Sequence, residues 1–273
     1  MSEINAAQVM KLRNKTGLSM MECKKALQES NGDEQAAEDL LRKKLKGKMD
    51  TRTDRAAGDG RIAIALAPDG RAAAIDELRA ETDFTAKNEK FVAGATKIAT
   101  LALTEHAGAV SPTAPMNAVV DDLRISTGEN ISLARVHKLA GGGATMFGSY
   151  VHHDGKTGVL VQAEGSVSQD LARDICMHIA AAVPRPQGVT RNDVPQHVID
   201  RERRLAIEMA MESGKPKEIA EKMVEGKINK LYSELALLEQ PWIRDESKKI
   251  KDLLPKDATV KAFLRWQVGE EAS

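Results

Sequence analysis

Ile62-Ala63-Ile64-Ala65-Leu66-Ala67-Pro68-Asp69-Gly70-Arg71-Ala72-Ala73-Ala74-Ile75-Asp76-Glu77-Leu78-Arg79-Ala80-Glu81-Thr82-Asp83-Phe84 is the stretch whose reading decides the fold. Ile62, Ile64 and Leu66 alternate with period two, Pro68-Asp69-Gly70 supplies turn chemistry, and a second strand runs from about Ala72 to Arg79. At Thr82-Asp83-Phe84 the strand pattern stops and a helix carrying Phe91, Ile98 and Leu101 begins. The same order returns downstream. Met146, Gly148 and Tyr150 sit in a strand pattern, Asp154-Gly155 turns, and Val159, Val161 and Ala163 form the next strand. Ser168 then caps a helix with Leu171, Ile175, Ile179 and Ala182 on one face. A strand–turn–strand–helix unit used twice predicts an α+β chain with two similar core subdomains built on antiparallel sheets. Between the copies lie a Pro-containing stretch over Ser111 to Pro115, a short helix, and a strand from Ile131 to Leu139.

Upstream, residues 4–47 read as three short helices. The first carries Val9 and Leu12 and stops at Gly17. The second opens on the capping box Ser19-Met20-Met21-Glu22 and ends at Asn31-Gly32. Asp33 caps the third, with Ala37, Leu40, Leu41 and Leu45 at helical spacing. A polar linker follows. Downstream, one helical segment runs to Glu212 and breaks at Ser213-Gly214, and Pro216 opens the return helix. There Val224, Ile228, Leu231, Leu235 and Leu238 step as a short coiled-coil seam, so the pair reads as a projecting helical hairpin. Val260, Ala262, Leu264, Trp266 and Val268 alternate as a last strand that returns to the second subdomain. The expected division is a three-helix module over 1–47, a linker over 48–58, one core subdomain over 59–140, another over 141–195 and 239–273, and the hairpin inserted over 196–238.

Composition excludes several classes of function. Lys and Arg number 40, equal to Asp and Glu, so no global basic field exists to hold nucleic acid, and no direct nucleic-acid partner is expected. No run approaches the ~18 apolar residues of a membrane span, and Met1-Ser2-Glu3-Ile4 has no signal-peptide pattern. Two widely separated cysteines, Cys23 and Cys176, point to a reducing cytoplasmic setting. No active site emerges, and the chain is expected not to be an enzyme. Cys176 and His178 are two apart on a helix and point away from each other. His152 and His153 in or beside a strand face opposite sides. Gly141-Gly142-Gly143 lacks the ending of a phosphate loop. No cofactor and no metal site are expected.

What remains is Thr82-Asp83-Phe84. With only four Phe, two Trp and two Tyr in 273 residues, a Phe on a turn tip beside a carboxylate has two readings. Asp83 is an N-cap and Phe84 a local contact, or the ring is a wedge for a partner. Met20 and Met21 carry the same ambiguity between module core and exposed contact.

Four ordered stretches resemble the bacterial translation elongation factor Ts family across nearly the whole chain. They are Leu12-Arg13-Asn14-Lys15-Thr16-Gly17 with Met20-Met21-Glu22-Cys23-Lys24-Lys25-Ala26-Leu27, then Glu77 to Lys87, then Gly128-Glu129-Asn130-Ile131, then Ser213 to Gly226. The resemblance implies a guanine-nucleotide exchange factor for the GTPase elongation factor Tu in its GDP-bound form. It also implies that the N-terminal module is ubiquitin-associated-like. Carried over by motif, Thr82, Asp83, Phe84 and Thr85 form a wedge, with Asp83 and Phe84 disturbing the partner's magnesium site. Arg13, Met20 and Met21 grip the GTPase domain, and His178 in Met177-His178-Ile179-Ala180-Ala181 contributes from the second subdomain. The chain departs from the family at Arg79, where Asn is usual, and at Thr85, where Val is usual. It also shows no long helix after Val268, which some members have. The alternative is a non-catalytic helical adaptor that binds nascent chains or another protein. Stoichiometry stays open between one factor per GTPase and a dimeric assembly.

Overall fold

The computed structural model describes residues 4–50, 53–212, 214 and 216–270, with 45–50 as backbone only. It is α+β, with ten α-helices and small antiparallel sheets among the described residues. The chain forms two compact units. One comprises residues up to Ala65, Ile75–Lys138 and those from Val268 on; the other comprises Leu66–Ala74 and Leu139–Gln267. No described helix is long and apolar enough to cross a membrane.

The first unit opens with α1 (Ala6–Thr16), α2 (Met20–Glu29) and α3 (Glu34–Asp50). The capping box at Ser19 forms as the sequence requires: Ser19 Oγ accepts from the Glu22 N–H at 3.3 Å, and Glu22 reaches back to the Ser19 N–H. Asp33 caps α3, accepting from the Ala36 N–H at 2.9 Å. Val9, Leu12, Leu18, Cys23, Ala26, Leu27, Ala37 and Leu41 form one buried cluster, each larger side chain stabilising by about 1.5–3 kcal/mol. Helix α3 runs to Asp50, further than the expected end at 47, and passes through Gly47 without stopping there. Leu45 lies outside the described side chains.

Next come β1 (Asp59–Leu66), β2 (Ala72–Ala80), α4 (Asp83–Lys87), α5 (Glu89–Ala102), β3 (Gly108–Ala109), α6 (Ala114–Thr127) and β4 (Ser132–Ala140). The sheet order is β1-β2-β4-β3, so β2 is an inner strand, and eight of its nine residues are buried. The helix expected after the hairpin is two helices. Asn88 leaves helical geometry (φ −64°, ψ 136°) and recaps α5 through the Lys90 N–H at 2.9 Å.

The second unit holds β5 (Thr145–Val151), β6 (Thr157–Glu164), α7 (Gln169–Ala181), α8 (Gln196–Glu212), α9 (Lys217–Leu235), β7 (Pro241–Trp242), β8 (Asp245–Lys249), α10 (Ile250–Leu253) and β9 (Thr259–Gln267). Strands run β5-β6-β9, all antiparallel, so the last strand does return beside β6. The order of the first sheet recurs: a hairpin, a helix, then a later strand added beside the hairpin's second strand. Gly148 lets β5 approach α7, since a Cβ there would sit 2.6 Å from the Ala172 carbonyl oxygen. Helices α8 and α9 bury Ile199, Ala206, Ala210, Val224, Ile228 and Leu235 in one cluster, with Leu231 at its margin. Leu238 is not part of that seam. Helix α9 ends at Leu235, and Leu238 packs instead on the cluster of Val159, Ile175 and Ile179. Ser213 lies outside the described residues.

Candidate functional site: a presented ring and the carboxylate beneath it

Where β2 ends, Thr82 takes an extended conformation (φ −128°, ψ 153°) and becomes the N-cap of α4, its Oγ1 accepting from the Thr85 N–H at 3.3 Å. Asp83 is therefore not the cap, as one reading of the sequence had it, but the first helical residue. There it meets the positive end of the short helix and pairs with Lys87 Nζ at 2.7 Å. Thr82 is held in this position by Glu129, which accepts from its N–H and its hydroxyl.

Phe84 is 84% exposed, so the local-contact reading of its ring does not hold. Helical geometry explains the direction. Positions 82 and 85 lie on one face of the turn, and position 84 lies nearly opposite. Thr82 and Thr85 face inward to Glu129. Glu129 Oε1 accepts from both threonine hydroxyls at 2.7 Å, and Oε2 accepts from the N–H groups of Glu81 and Thr82 at 3.1 Å each.

Glu129 is itself placed by its neighbours. Gly128, at φ 73°, terminates α6 in the left-handed region and turns the chain toward the loop. Buried Asn130 donates its side-chain amide to the carbonyls of Thr53 (3.1 Å) and Arg55 (2.7 Å), and its N–H to Glu81 Oε1 at 2.7 Å. Nothing in the local sequence Gly128-Glu129-Asn130-Ile131 gives Glu129 this role. Its partners lie 44–48 residues away in the chain, and the only local signal was a carboxylate directly after a helix-ending glycine.

The two departures from the family pattern acquire definite contacts. Thr85 contributes one of the hydroxyls bound by Glu129, a bond that Val cannot make. Arg79 Nε donates to Glu77 Oε1 at 2.6 Å. Glu77 is fully buried and is also held by Arg135 Nε at 2.6 Å and the Gly269 N–H at 3.0 Å. On the same strand Asp76 is fully buried, and among the described residues no group lies within full hydrogen-bond geometry of either carboxylate oxygen. Burial pushes its carboxyl well above the usual range, opposed only in part by the nearby Ala99 amide.

In the N-terminal module, Arg13 is exposed on the last turn of α1, and Met20 and Met21 are exposed at the start of α2. They are not module core. Cys23, Ala26 and Leu27 fill that face.

His178 is interior to the second unit at 1% exposed. Its Nδ1 lies 3.4 Å from the Ile243 N–H that points at it, which leaves Nε2–H to donate to Gln240 Oε1 at 2.9 Å. Gln240 Nε2 passes the chain on to the carbonyls of Pro184 and Glu234. Burial lowers the histidine pKa, and the Gln240 bond opposes it. Cys176 is buried and its thiol is pushed up to about 12, so it is a core residue without thiolate character at neutral pH. His152 and His153 do not face opposite sides. They follow the end of β5, where strand alternation lapses, and their rings pack 4.2 Å apart. Among the described residues no group of His, Cys, Asp or Glu could hold a metal ion.

The family model Elongation factor TS matches residues 81–270. Elongation factor Ts of Thioalkalivibrio sulfidiphilus is 42% identical over 98% of this chain and 92% of its own. That of Photorhabdus laumondii is 42% identical (99% and 94%), and that of Thiobacillus denitrificans 40% (99% and 93%). These matches place the chain among the translation elongation factors, which serve protein synthesis and are not catalysts of a chemical reaction. Within that class, the chain belongs to the elongation factor Ts family.

Proposed function

We propose that the protein is a cytoplasmic guanine-nucleotide exchange factor that binds GDP-bound elongation factor Tu and promotes GDP release by differential binding. The observation that carries this reading is Phe84, a ring 84% exposed on a turn braced from behind. Nucleotide and its Mg²⁺ favour one arrangement of a GTPase phosphate site. A docked wedge of Thr82, Asp83, Phe84 and Thr85 favours another, with the ring as anchor and the Asp83 carboxylate competing beside the partner's metal. By linkage, whatever weakens nucleotide is expelled by nucleotide, so rebinding frees the factor.

In this reading α1–α3 form a ubiquitin-associated-like module that grips the GTPase domain through Arg13, Met20 and Met21. Helices α8 and α9 form a projecting coiled-coil hairpin inserted in the second core subdomain. The core subdomains of this reading are 59–140 and 141–195 with 239–273, and the linker starts after α3. His178 contributes from inside, by fixing Gln240 and the backbone of the Trp242–Asp245 turn. The test is the dissociation rate of fluorescent GDP from elongation factor Tu with and without this chain. Acceleration supports exchange. A stable complex with unchanged release would make the protein an adaptor.

A further inference from the structure

We propose that Glu129 is a positioning residue for exchange: its carboxylate presets the Thr82–Thr85 turn, so that Phe84 is already presented in the free protein. The inference deepens the exchange reading and rests on it. Helix α4 has five residues, too few to hold itself by helix propagation. Its order must come from elsewhere, and four donors from the turn converge on Glu129. An ionised carboxylate has about four acceptor sites, so this set fills it. All four donors lie on the backbone or on the face opposite the ring, so the clamp holds the turn without covering Phe84.

The tie is reciprocal. The Glu81 N–H donates to Glu129, while the Glu81 carboxylate accepts the N–H of Asn130, the next residue. Glu81 and Glu129 thus lock the loop and the α6 terminus to each other, and Asn130 anchors both to the 53–55 backbone. A neutral amide replaces the carboxylate only in part. Its –NH2 turned toward the Glu81 and Thr82 amides would set donor against donor; turned toward the Thr82 and Thr85 hydroxyls it makes both of them rotate to accept, and the charge assistance is lost. Preorganisation of this kind acts by removing the ordering cost of binding.

The experiment is stopped-flow release of fluorescent GDP from elongation factor Tu across factor concentrations. It compares the wild type, Glu129→Gln, Glu129→Asp, Thr85→Val, Phe84→Ala and the double variant Glu129→Gln/Phe84→Ala. Glu129→Gln is expected to lower the maximal release rate by about tenfold, the effect of losing a charge-assisted hydrogen bond. Glu129→Asp should recover part of the loss, and Thr85→Val, which removes one of the four donors, should cost about threefold. The double variant should match Phe84→Ala within about twofold, because Glu129 acts through the ring. A merely structural role would instead add its loss to that of Phe84→Ala. Such additivity, or wild-type release by Glu129→Gln, overturns the inference. If Glu129→Gln fails to fold by circular dichroism, Thr85→Val decides, and wild-type release by that variant overturns it. A wild-type chain that leaves release unchanged overturns the exchange reading and this inference together.

Discussion

Truncating Phe84 to alanine separates stability from function. The side chain is 84% exposed, so only about a sixth of its surface is covered in the free protein. A Phe side chain presents on the order of 200 Å², and at about 25 cal/mol/Å² the covered part stabilises the fold by less than about 1 kcal/mol. Alanine also has the better helix propensity at this position in α4, which offsets part of that loss. The melting temperature of Phe84→Ala should therefore move by no more than about 2 °C. Buried in a partner pocket, the exposed remainder gives an upper bound of about 4 kcal/mol, and anchor truncations cost about 2 kcal/mol or more. Factor-stimulated GDP release should accordingly slow by about 30-fold or more. The assay pairs thermal unfolding with stopped-flow release on one preparation. Wild-type release rates, or a loss of release that tracks a large fall in melting temperature, would refute the argument.

Other perturbations bear on the interior. Asp76 has a folded pKa raised by burial, so its cost is absent below the unfolded value near 4 and grows as pH rises through the gap. Asp76→Asn should raise the urea midpoint at pH 7, with the gain vanishing near pH 4; an equal gain at both pH values would contradict this. Glu77→Ala strands two arginines around a buried site, and urea unfolding should show a loss of about 3–5 kcal/mol; a loss below about 1 kcal/mol would mean the cluster does not hold the strand. His178 has the opposite sign to Asp76. Its folded pKa is lowered, so its contribution is present above the unfolded value near 6.5 and lost as pH falls through the folded value. His178→Gln should remove that acid-side loss while costing about 1–3 kcal/mol at pH 7.5 through the disturbed Gln240 contact; an unchanged pH slope would count against the assignment.

The parts of the fold that local chemistry dictates were readable in the chain. The change of period at Ile62, the turn at Pro68-Asp69-Gly70, and the capping box at Ser19 all appear where the residues place them. Long-range facts were not readable. Glu129 meets Thr82 across 47 positions, and no spacing rule connects them. Thr82 and Asp83 are both good caps, and the contacts that single out Thr82 come from Glu129, 47 positions away. Asp76 and Glu77 are adjacent on a strand, so one had to point inward. Burial of both follows from the inner position of β2, a tertiary property. His178 could be placed on the packed face of α7, three residues from Ile175, but its bond to Gln240 spans 62 positions.

The central claim is that this chain and guanine nucleotide disfavour each other on the same GTPase. The measurement is a closed thermodynamic cycle: GDP affinity of elongation factor Tu with and without the chain, and chain affinity with and without GDP. The two ratios must agree, and a coupling of around 3 kcal/mol predicts weakening of roughly a hundredfold in each. Equal affinity of the chain for the GDP-bound and nucleotide-free forms would contradict the account.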